Sequence, residues 1–73
     1  MLTRKAIQKH IFEKTGIDVV LCKDNGYFYF TSDDDNVLNE LVLRYTTLVY
    51  VDKINDLTLD EWLKEFIEIW ECK

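Results

Sequence analysis

Asn25-Gly26 stands between two runs of strand formers, residues 17–23 and 27–31, and no other pair restricts the fold of this chain so much. A two-residue Asn-Gly link is the strongest short-range hairpin signal, because both central residues of a type I′ turn need φ > 0. The link also predicts a register: Asp24 opposite Tyr27, Lys23 opposite Phe28, Cys22 opposite Tyr29 and Leu21 opposite Phe30. Side chains alternate between the faces of a strand. Ile17, Val19, Leu21, Phe28 and Phe30 therefore share one face, expected to be the core side. Val20, Cys22, Tyr27 and Tyr29 share the other. That second face is amphipathic, and its aromatics make it a candidate partner or dimer surface. The competing expectation is that Trp70 or the chain ends cover it.

Helical signals flank the hairpin. Thr3 suits an N-cap, Ala6, Ile7, His10 and Ile11 repeat at helical spacing, and Gly16 is placed to end the helix in a left-handed conformation. Phe12 falls instead among Lys5, Gln8 and Lys9, away from the Ile7/Ile11 stripe. The acidic run Asp33-Asp34-Asp35-Asn36 opens a second helix with the apolar stripe Val37, Leu38, Leu41, Val42 and Tyr45, and Arg44 complements its last turn. Residues 46–51 predict a third strand. Thr58-Leu59-Asp60-Glu61 is a capping box that opens the last helix, with Leu57 and Trp62 at the staple positions. Leu59, Trp62, Leu63, Phe66 and Trp70 form its apolar face, with Ile67 beside it. Glu61, Glu65 and Glu68 line the opposite side.

The order is α-β-β-α-β-α over a single domain, residues 1–73. The expected fold class is α+β, a three-stranded mainly antiparallel sheet with helices packed on one face. A helical return would set the third strand parallel to strand two and antiparallel to strand one. Strand one is its expected neighbour, because antiparallel pairs are commoner.

Composition excludes several classes. At 48 % apolar and 32 % charged the chain is globular in type, and no apolar run approaches the roughly 18 residues a membrane span needs. The opening residues lead into an amphipathic stretch rather than a signal-peptide core. Cys22 and Cys72 have no further cysteines around them, so both are expected as reduced cytosolic thiols. No nucleophile elbow or glycine-rich phosphate loop occurs. His10 is the only histidine and suits a boundary residue under the sheet. Counted as a calcium loop from Asp33, position six is Leu38 and position twelve is Arg44, so the EF-hand pattern fails. No cofactor or metal is expected, and no enzymatic activity.

Charge is divided unevenly. Residues 1–23 hold five bases against two acids, whereas residues 24–73 hold four bases against twelve acids, a net −8 inside an overall −5. The acidic side comprises Asp33, Asp34, Asp35, Asp52, Asp56, Asp60, Glu61, Glu65 and Glu68. Such a surface can imitate a nucleic-acid backbone toward a protein that binds one; a solvated helix face explains the same residues. Arg4, Lys5 and Lys9 with Phe12 form the basic counterpart, suited to single-stranded nucleic acid. Its plain alternative is pairing of the first helix with the acidic last one.

The segment Gly26-Tyr27-Phe28-Tyr29-Phe30, the acidic turn after it, and Leu57-Thr58-Leu59-Asp60-Glu61-Trp62 resemble small accessory proteins of temperate phages and prophages. The resemblance implies a bacterial cytosol, a mobile-element origin and a dispensable or host-modulating role, and carries no catalytic residues with it. The expected function is non-enzymatic protein–protein interaction with a host or rival factor. Nucleic-acid binding through the basic helix and hairpin tyrosines is the alternative, and a homodimer through the tyrosine face a third.

Overall fold

The computed structural model describes residues 2–44 and 46–71. Tyr45 and Cys72, both assigned above, lie outside them. Helix α1 (Arg4–Thr15) starts where the Thr3 hydroxyl accepts the Ala6 N–H. It ends at Gly16, whose φ of 74° lets its N–H reach the Phe12 carbonyl at 2.8 Å. The hairpin follows as β1 (Val20–Asp24) and β2 (Tyr27–Thr31), in the register the Asn-Gly link predicts. The turn itself differs. Gly26 has φ 87° but Asn25 has no positive φ, the sign pattern of a type II turn rather than type I′. The Asp24 carboxylate holds the Asn25 N–H at 2.7 Å, and the register survives because the loop still has two residues.

Helix α2 (Asp35–Leu41) is capped by the Asp34 carboxylate, which accepts the Asn36 N–H at 2.9 Å. It stops earlier than its sequence stripe. Val42 is 70 % exposed and belongs to no core. Arg44 does complement the last turn, but from a buried position past the helix end, where its Nη1 donates to the Glu40 carbonyl at 2.8 Å.

The third strand, β3 (Leu48–Val49), corrects two expectations. It is two residues long, and it pairs with β2, antiparallel, giving the order β1-β2-β3. The chain re-enters where it left, and the Phe30 N–H donates to the Thr47 carbonyl at 3.1 Å. The outer edge of β1 is closed to it, because Gln8 of α1 accepts the Leu21 N–H there at 2.9 Å. Past Val49 the Val51 N–H turns back to the Val49 carbonyl, which ends the pairing.

A 3₁₀ turn (Ile54–Asp56) leads to α3 (Leu59–Glu71). Its capping box is reciprocal: Glu61 accepts the Thr58 N–H at 3.0 Å, and Thr58 accepts the Glu61 N–H at 3.2 Å. One buried cluster unites the elements: Ile7 and Ile11, Val19 and Leu21, Phe28 and Phe30, Leu41, Val49, and Trp62, Phe66 and Ile69. Trp62 is its centre, edge-on to Phe28 at 5.2 Å, with its indole N–H donating to the Ile54 carbonyl at 2.9 Å. Ile69, outside the face read from sequence, joins Trp62 and Phe66 in the core, while Leu59, Leu63 and Trp70 pack against it partly buried.

Candidate functional site

The helices contribute to a cluster on the Leu21/Phe28/Phe30 face of the sheet. Alternation puts Val20, Cys22, Tyr27 and Tyr29 on the other face, all half-buried, as the hairpin register requires. Trp70 does not cover them. It stacks on Phe66 at 5.7 Å and lies under the Arg44 guanidinium, 4.6 Å from it, at the core side. The antiparallel pairing of β3 adds Leu48, opposite Tyr29, and the strand continues toward Tyr50. Tyr50 is 75 % exposed, and its ring lies 6.3 Å from that of Tyr27. The Tyr29 ring also lies 6.3 Å from that of Tyr27. Three tyrosines thus gather where the sequence placed two. The missing signal was the partner strand of residues 46–51, without which Tyr50 has no assignable face.

Asp24 closes the hairpin end of this cluster. Its carboxylate accepts the Asn25 N–H at 2.7 Å and the Tyr27 hydroxyl at 3.0 Å. The backbone hydrogen bond first, then the phenol, hold Asp24 below its ordinary value. The same contact raises Tyr27, since an ionised phenolate would lose its bond to an anion. Tyr29 is raised too, chiefly by the Cys22 thiol opposite it across the strands.

The acidic residues fall into groups with different roles. Asp34 caps α2, Asp56 accepts the Lys53 N–H, and Glu61 completes the α3 capping box. The Asp60 carboxylate turns to His10, 3.3 Å from its Nε2, linking α3 to α1. Asp33 and Asp35 are exposed at the start of α2. Glu61, Glu65 and Glu68 come together along α3, with Lys64 among them. Glu65 and Glu68 also line a groove against Thr46 and Leu48, so carboxylates border the free edge of β3.

The basic helix lies against α3, but its cations do not pair with it. Among the described residues Arg4, Lys5 and Lys9 make no ion pair, and Phe12 is 52 % exposed beside them. Among the described residues no three His, Cys, Asp or Glu side chains gather as a metal site. No helix among them is long and apolar enough to cross a membrane. No family model matches the chain, and searches of curated proteins and of solved structures return no significant match.

Proposed function

We propose that this chain is a non-enzymatic protein-binding module that docks a basic protein partner. The observation that carries the reading is the open sheet face: Val20, Cys22, Tyr27 and Tyr29, extended by Leu48 and Tyr50, opposite the face that the helices bury. Interface cores favour such aromatics over scattered charges. The partner's charge follows from the surroundings. Asp24 stands at one end of the tyrosines, and Glu65 and Glu68 flank the β3 edge. A protein that ordinarily holds nucleic acid supplies the complementary basic surface, and the acidic groups then stand in for phosphates. The likeness to phage and prophage accessory proteins supports a host or rival factor in a bacterial cytosol as that partner.

Affinity capture from a bacterial lysate tests the proposal. The wild-type chain should retain a DNA- or RNA-binding protein, added nucleic acid should displace it, and Glu65→Lys with Glu68→Lys should lose it. Full retention by the double variant refutes the acidic surface. A second reading rests on Arg4, Lys5 and Lys9, which make no ion pair among the described residues, beside exposed Phe12: direct nucleic-acid binding through α1. A gel shift on single- and double-stranded DNA and RNA at low salt separates the two, and the absence of any shift removes the second.

A further inference from the structure

Tyr27, Tyr29 and Tyr50 are arranged for more than apolar contact. Tyr27 is the hub, with both neighbouring rings 6.3 Å away and tilted by 49° and 52°. A cation is held within about 6 Å of an aromatic centroid. Rings at this spacing let one cation satisfy that limit for two of them at once. Each ring face is negative, so neighbouring rings act on the cation together. At the hydroxyl end of Tyr27 stands the Asp24 carboxylate. It accepts two hydrogen bonds, from Asn25 and Tyr27. A carboxylate has about four lone-pair sites, which leaves capacity for a further donor.

We propose that the Tyr27/Tyr29/Tyr50 cluster with Asp24 is a seat for an arginine side chain of the protein partner. A guanidinium is planar and weakly hydrated, so it can stack on a ring while its fork bonds a carboxylate. A lysine ammonium does only one of these well. The seat rests on the preceding reading of the chain as a binder of a basic protein, and it names the contact at the centre of that interface.

The probe is a blocked tri-arginine peptide, compared with its uncharged citrulline counterpart. The peptides are titrated into the isotope-labelled chain while the tyrosine ring signals and the Asp24 carboxyl are followed by NMR. The arginine peptide should move the Tyr27, Tyr29 and Tyr50 rings and Asp24, and the citrulline peptide should not. Tyr50→Ala should weaken the arginine peptide about two- to fivefold. Tyr50→Phe should stay close to wild type, because the ring and not the hydroxyl supplies the attraction. Tyr50 is mostly exposed, so neither variant disturbs the core. Equal binding of both peptides overturns the seat. So do shifts confined to Glu61, Glu65 and Glu68 with silent tyrosines, although that outcome leaves a basic partner on α3 standing. A single-stranded oligonucleotide that moves the same rings more strongly than the peptide would assign the face to base stacking instead.

Discussion

Arg44 should carry about a third of the stability of this domain or more. The guanidinium joins the C-terminal ends of two helices. Its Nε donates to the Trp70 carbonyl at 2.7 Å, in the last turn of α3, and its Nη1 donates to the Glu40 carbonyl at 2.8 Å, in the last turn of α2. Glu40 adds a carboxylate 3.6 Å from Nη1, and the Trp70 ring packs 4.6 Å from the guanidinium carbon. Hydrogen bonds to a charged group contribute roughly 1.5–3 kcal/mol each. The stacking adds about 0.5–1 kcal/mol. Water can reach helix ends once the side chain is gone, so the straight total is too large, and about 3 kcal/mol is expected for Arg44→Ala. A domain of 73 residues holds about 4–11 kcal/mol in all. At this size the loss corresponds to roughly 12–24 °C in Tm. Arg44→Lys keeps a charge near both helix ends but cannot reach two carbonyls and stack, so it should recover about half. Urea unfolding followed by circular dichroism measures both, with an unchanged m value confirming that the native state is intact. Arg44→Ala within about 0.5 kcal/mol of wild type, typical of a neutral surface change, refutes the double-cap account.

Three further outcomes follow from particular contacts. Gly26→Ala should cost about 1–2 kcal/mol from backbone strain alone, because φ is 87° and an added Cβ would meet nothing within 4 Å. Gly26→Asn should be milder, since Asn tolerates that region, and equal losses would show the strain argument wrong. Gln8→Ala leaves the Leu21 N–H without its acceptor, at roughly 0.5–1.5 kcal/mol, and uncovers the β1 edge; size-exclusion chromatography should then show concentration-dependent association, and an unchanged monomer of unchanged stability counts against the edge-guard role. Asp24→Asn should lower the Tyr27 midpoint toward 10.0, read from the phenol signals in a pH titration, and an unmoved midpoint would deny the Asp24 contact.

The same pair sets two pH limits on the hairpin. Asp24 is depressed in the fold, so its support is present above its unfolded value of 3.8 and is lost as pH falls through the lower folded one. Tyr27 is raised, so its support is present below 10.0 and is lost as pH rises through the higher folded value.

Much of the candidate site was legible because it is local. Val20, Cys22, Tyr27 and Tyr29 share a face once two loop residues set the register, whatever the turn type. Tyr50 was not legible, because its face depends on a strand partner chosen elsewhere in the chain. The acidic run read well as caps but poorly as one surface. Asp34, Asp56 and Glu61 bond backbone within three residues, whereas the direction of Asp60 depends on α1.

The sequence by itself determined the element order, the caps at Thr3 and Thr58, an aspartate cap within the run 33–35, the left-handed glycines and the hairpin register. Each of these depends on groups a few residues apart, where covalent geometry leaves few choices. Tertiary structure decided the rest. It put β3 beside β2, with Gln8 occupying the outer edge of β1. It drew Arg44 inward to two helix ends that are distant in the chain, and it brought Tyr50 to Tyr27. Those outcomes depend on which surfaces compete for the same space, and that competition exists only once the chain has closed on its core.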